Sequence, residues 1–257
     1  MADPTDTRAV SEVVGYILVF SLVLGTITLV YTAGLSGLSD TRDAERITNA
    51  ERAFDVLANN FQQMGRGEAP NRATEIKLAE AQLSTSTSRR VSINASEMDT
   101  AAAASPVTIR YNPGSDTSIV YENGAVIRVD DGNAVMLEEP DFLFDGGNVV
   151  VRYIEPQGSG QSIGGTSTTV LVRAERTTSK VLVNRGGSTN VTITMRTHPD
   201  RVDAWENYYT ESIEAATGTT PTCNRSTVNS QTVKLTCFDF NADKLAVSKV
   251  QIEVELT

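Results

Sequence analysis

From Val13 to Leu35 the chain reads VVGYILVFSLVLGTITLVYTAGL, an apolar stretch without a single charged residue. Wound as a helix it spans roughly 34 Å, enough to cross a hydrocarbon core about 30 Å thick. Such a segment is expected to cross a membrane once, with membrane lipid as its partner. A secretory signal peptide has a basic start, a shorter apolar core and a small-residue cleavage site behind that core. Here Ser36-Gly37-Leu38-Ser39-Asp40 follows instead, and the helix is expected to stay in the mature protein.

Ahead of the apolar run stand Arg8, Ala9, Val10, Ser11 and Glu12, with Gly15 just inside it. This pattern resembles the class III signal of archaeal type IV pilins and their relatives. The resemblance implies a leader of residues 1–9, a cut between Ala9 and Val10 by a prepilin-type peptidase, and an apolar helix kept as the future core of a filament. Glu12 would then be the third residue of the mature chain. Self-association, or assembly with other pilin-like subunits, is the partnership that the family implies.

Inside the span, Ser21, Gly25, Thr28 and Thr32 fall at spacings of four, three and four, a row of small residues on one helix face. Small rows let helix backbones approach where lipid removes the hydrophobic drive, so the row suits helix packing in an oligomer. Gly and Thr are also common in spans that stand alone. Gly34 and Gly37 suggest a flexible joint where the helix leaves the bilayer.

With 32 acidic against 22 basic residues the formal charge is −10, and few of the basic residues are Lys. Acidic, Lys-poor, Thr-rich chains stay hydrated in concentrated salt, where charges are screened within about 3 Å at 1 M. The composition points to a halophilic archaeon. It argues against nucleic acid as a partner, which demands a basic patch.

Beyond the span the pattern turns amphipathic. Ile47, Ala50, Phe54, Leu57, Phe61 and Met64 form one apolar seam, and the helix is expected to end near Gly65. From Pro70 onward short β-rich runs alternate with turns: 91–94, 107–111, 118–122, 125–129, 134–137, 149–154, 168–174, 180–183, 190–196 and a last alternating run through Val250, Ile252, Val254 and Leu256. Asn123-Gly124 and Asp131-Gly132 have the chemistry of type I′ hairpins, and an antiparallel meander is expected. One helix interrupts it: Thr197-His198-Pro199-Asp200 reads as a capping box, and Val202, Trp205, Tyr209 and Ile213 share a face up to Gly218. That aromatic face is a core element or a binding surface.

Several blocks, among them YENGAVIRVDDGNAVMLEEPDFLF, the Gly-rich segment before TVLVRAE, and DAWENYYTES, resemble a haloarchaeal membrane-anchored family that shares the pilin-like start. That resemblance implies an architecture and a place in the cell, and no activity.

Cys223 and Cys237 lie in the downstream domain and are expected to form a disulfide, worth roughly 3 kcal/mol for a loop of about 15 residues. Free thiols would require a reduced compartment. Asn-x-Ser/Thr sequons at Asn94, Asn190 and Asn224 favour an extracellular domain and are candidate glycosylation sites.

Catalytic residues are not expected. The single His198 sits at a helix start without a nucleophile elbow, and Gly158-Ser159-Gly160 opens an exposed Gly/Ser loop with no helix behind it to hold a phosphate. The adjacent pairs Glu138-Glu139 and Asp130-Asp131 point to opposite faces of a strand. Asp239, Asn241 and Asp243 imitate the start of a calcium loop, but Lys244 and Val250 occupy its Gly and acid positions. No metal and no cofactor are expected.

These readings combine into an α+β chain: leader 1–9, transmembrane helix 10–38, amphipathic helix 39–65, and an extracellular β-rich domain 66–257 with one inserted helix. It is expected to pass the cell membrane once, N-terminus cytoplasmic. The expected role is that of a pilin-like surface structural or adhesion protein rather than an enzyme. The alternative is a monomeric single-pass protein whose outer domain binds a ligand or serves another membrane complex.

Overall fold

A computed structural model of the chain describes residues 6–86, 89–96, 98–114 and 116–257, and gives only the backbone at 6–12 and 33–40. The fold is α+β, with a long N-terminal helix, a mostly antiparallel β body and a second helix inserted in that body. The chain divides into one compact unit up to Asn49 and another from Ala50 to Thr257.

Helix α1 runs over Asp6–Arg66. No proline occurs between Pro4 and Pro70 to interrupt it. The backbone stays helical through Gly34 and Gly37, so no joint forms there. The helix stops in a Schellman arrangement: Gly67 takes φ 86°, its N–H donates to Met64 O at 3.1 Å, and the Glu68 N–H donates to Gln63 O at 2.9 Å. Only a residue without Cβ takes that left-handed turn at no cost.

The body is built from β1 (Asn71–Leu78), β2 (Ala81–Thr85), β3 (Val91–Ala95), β4 (Ala102–Ala104), β5 (Ile109–Asn112), β6 (Thr117–Glu122), β7 (Ala125–Asp130), β8 (Asn133–Glu138), β9 (Phe142–Asp145), β10 (Asn148–Gln157), β11 (Ser162–Gly165), β12 (Thr168–Thr197), β13 (Thr222–Asn229) and β14 (Thr232–Leu256), with α2 (Val202–Thr217) between β12 and β13. One eight-stranded sheet has the order β4-β3-β12-β14-β10-β9, with β1 also on β12 and β13 also on β14. The other, six-stranded, runs β11-β2-β5-β6-β7-β8.

The expected meander holds only for β5 to β8. In the larger sheet β10 pairs β14 in parallel, and the long β12 and β14 pair across most of their length. Three short runs expected between 168 and 196 are one strand, because Arg176–Thr178 and Gly186–Thr189 produce register shifts within β12 instead of turns. The β6–β7 and β7–β8 hairpins form as expected, with Asn123 at φ 51° and Gly124 at 94°, and Asp131 at φ 47° and Gly132 at 78°. At Gly124 an added Cβ would also stand 3.1 Å from Pro140.

The larger sheet buries opposite faces at its two ends. On β10, Val149, Val151 and Tyr153 join a core with α2, while Ile154, of opposite parity, is buried on the other side. On β14, Leu245 and Val247 belong to the first set, and Val250, Ile252 and Val254 follow the opposite parity. The second face is covered by the last turns of α1, whose Phe54, Leu57, Phe61 and Met64 are fully buried. There Asn60 donates to Thr74 Oγ1 on β1 at 2.9 Å. From the other side, the Phe61 ring meets Tyr121 of β6 edge-on at 5.0 Å, and Glu51 pairs with Arg128 of β7 at 3.0 Å. Residues 50–66 therefore lie between the two sheets, and Arg52, Asp55, Val56 and Asn59 form the exposed side of the helix.

Candidate functional site

The N-terminal unit carries the apolar segment. Val13–Thr32, of mean hydropathy 2.4, has the length and composition of a single membrane span or a signal sequence, and none of it is buried. Ser21, Gly25, Thr28 and Thr32 line one side, and a Cβ at Gly25 would meet nothing within 4 Å. The threonine hydroxyls are turned inward. Thr28 donates to Leu24 O at 2.8 Å, Thr32 to Thr28 O at 3.0 Å, and Thr26 to Val23 O at 2.9 Å. Hydroxyls satisfied within the helix leave a surface that lipid or another helix can cover without stranding a donor. Arg8, Ala9, Val10, Ser11 and Glu12 fall in the first turns of α1, and their side chains lie outside the described residues.

Within the body the most concentrated chemistry is a buried ion pair that the sequence did not betray. Glu122, at the end of β6, is 1% exposed, and Arg201 is 3% exposed. Arg201 donates to Glu122 through Nε at 3.2 Å and through an η nitrogen at 3.3 Å. Thr197 Oγ1 donates to the same carboxylate at 2.6 Å, and Trp205 Nε1 at 3.0 Å. A further Arg201 nitrogen reaches Asp200 at 3.1 Å. Burial alone would raise the Glu122 carboxyl, but the Arg201 charge and the donors from Arg201, Thr197 and Trp205 hold it below its ordinary value. This cluster ties the β6–β7 hairpin to the start of α2. It is sealed from solvent and serves packing, and Trp205, fully buried and stacked on Tyr209, is core rather than a binding surface.

The same network corrects the capping box. Thr197 spends its hydroxyl on Glu122, so His198 takes the cap position, its Nδ1 accepting from Asp200 N at 3.4 Å ahead of a 3-10 turn at Pro199–Arg201. The other ring nitrogen of His198 lies 2.8 Å from Gln231 Oε1. Gly218 closes α2 at φ 67°, as expected.

The Gly/Ser loop after β10 lines an open groove of about 1000 Å³ together with exposed residues of β1, β12 and β14. Gly158, Ser159, Arg173, Glu175, Glu253 and Glu255 are among its lining residues. Arg173 stands opposite Glu255, and Glu175 opposite Glu253, in the strand register. The Gly158 backbone passes so close to Val254 that a Cβ would stand 2.7 Å from its carbonyl oxygen. The groove is lined by charges of both signs.

Cys223 and Cys237 are joined, with their Cα atoms 4.1 Å apart, at directly opposed positions of β13 and β14. Asn94, Asn190 and Asn224 are all exposed on strands. Asp239, Asn241 and Asp243 lie along β14, with Asp239 in the left-handed region at φ 66°.

No curated protein and no solved structure matches the chain. A family model does match, over residues 8–255, which takes in α1 from its first turns and nearly the whole β body. On that match the chain belongs to a family of unknown function (DUF7289).

Proposed function

We propose that the protein is a pilin-like, membrane-anchored cell-surface protein of a halophilic archaeon, with a structural or adhesive role rather than a catalytic one. A prepilin-type peptidase clips the leader between Ala9 and Val10, α1 stays in the membrane, and the β body, with its disulfide, stands outside the cell. Subunits associate through the face carrying Ser21, Gly25, Thr28 and Thr32.

The observation that carries this reading is the double character of α1. One helix has an apolar segment with every described side chain exposed, and a seam from Ala50 to Met64 that is the packed spine of the β body. The small-residue row supports association, because Gly25 leaves room for a neighbouring backbone. Gly25→Leu is expected to abolish filaments in electron micrographs of the surface fraction while leaving the protein in the membrane. Undiminished filaments in that variant would remove the row from the assembly. The mixed-charge groove beside Gly158 favours a second reading, a monomeric accessory protein whose outer domain holds a ligand, and this reading predicts no filaments in the wild type.

A further inference from the structure

The three sequons lie far apart in the chain and close together on the sheet. Asn94 of β3 is directly opposite Thr192 of β12, and Asn190, two residues from Thr192, falls on the same face and diagonal to Asn94. One row further, Ser92 is opposite Thr194, Thr194 opposite Thr236 of β14, and Thr236 opposite Asn224 of β13. A contact of 3.4 Å between the Thr194 and Thr236 hydroxyls places those two on one side. The alternate residues Ile93, Val191, Ile193, Met195, Leu235 and Cys237 all belong to the core with α2. All three asparagines therefore project from the opposite, solvent face of four adjacent strands.

This face is made of hydroxyls and amides. Ser96 and Ser226, which complete two of the sequons, are exposed, and Thr192 is half-buried. The residue between Asn and the hydroxyl is Ala95, Val191 or Arg225, never the Pro that blocks the acceptor. Chance placement in a Thr-rich chain would scatter such triplets over loops and both sheets.

We propose that this face of the eight-stranded sheet is an N-glycosylated face, bearing glycans at Asn94, Asn190 and Asn224. The modification is transfer of a preassembled saccharide from a lipid-linked donor to each side-chain amide nitrogen, with the lipid phosphate as leaving group. The glycans cover the solvent side of β3, β12, β14 and β13, so contacts between subunits fall on other surfaces of the body. The proposal rests on the outward orientation given above.

The test is glycopeptide mass spectrometry of the full chain extracted from the membranes of the organism that makes it, beside protease treatment of intact cells. Saccharide masses on at least two of the three asparagine peptides, with one mobility step lost on a gel for each modified site changed from Asn to Gln, are the expected result. Unmodified peptides at two or three of the sites overturn the proposal. Body digestion by external protease then separates the cases: unmodified and digestible defeats the glycan face alone, and unmodified and protected defeats the outward orientation as well. Because the asparagines are exposed, the Asn→Gln variants keep the wild-type melting temperature.

Discussion

Glu122→Ala is expected to destabilise the β body by about 3 kcal/mol, the lower end of what breaking a buried ion pair costs. The loss is concentrated because one carboxylate satisfies Arg201, Thr197 and Trp205 together. Asp200 remains as a second partner of Arg201 and keeps the penalty from rising further. At roughly 2–4 °C per kcal/mol for a body of this size, thermal unfolding followed by circular dichroism reads the change directly. Glu122→Gln retains the shape and one acceptor, and loses less. The pH dependence follows from the same site. A carboxyl held below its ordinary value of 4.5 contributes stability that is present above that value and lost as pH falls below it, through the lower folded value. The wild type is therefore expected to lose stability on acidification below pH 4.5, and Glu122→Gln to show a shallower loss over the same range. Equal slopes for the two proteins would show that the pair carries no linkage.

Phe61→Ala is expected to cost about 3–5 kcal/mol, the range for removing a fully buried aromatic ring. Phe61 has no exposed surface, and its ring faces Tyr121 across the gap between helix and smaller sheet. Deleting it leaves a void between the two sheets that neither rigid layer can close. Urea unfolding of the detergent-solubilised full chain should show a lower midpoint, whereas Val56→Ala on the exposed side of the same helix should shift it by no more than about 0.5 kcal/mol. Similar shifts for the two variants would mean that the helix is not the spine of the body.

Much of the architecture was legible in the sequence because it rests on periodicity. The apolar run, the seam from Ala50 to Met64, the Asn-Gly and Asp-Gly hairpins and the Gly218 stop each follow from a local rule that the packed structure does not override. Non-local pairing was not legible. Nothing local distinguishes the parallel β10–β14 pair from an antiparallel one, and two buried faces on one long strand blur the alternation of β10 and β14 where the packed side changes. β1 and β13 escaped notice because each flanks a single partner strand and is rich in Thr, Asn and charged residues, and β2 because its five residues carry one large apolar side chain, Leu83.

The candidate sites divide in the same way. The cysteine pair and the sequons are motifs that can be read from the chain, but their convergence on one sheet needs the register of four strands. The Glu122 cluster was hidden because a Glu before Asn-Gly looks like a solvated turn residue. The only clue was that it directly follows the apolar run Ile119-Val120-Tyr121. Thr197 looked like a cap for the same reason, since its buried partner lies 75 residues away in sequence.

The account turns on α1 remaining in the mature protein as its membrane anchor. N-terminal sequencing and peptide mapping of the chain extracted with detergent from native membranes tests this most directly. The predicted result is a start at Val10 with peptides covering Val13 to Leu35 recovered. A start beyond Leu35, or the whole chain in the detergent-free soluble fraction, would contradict it.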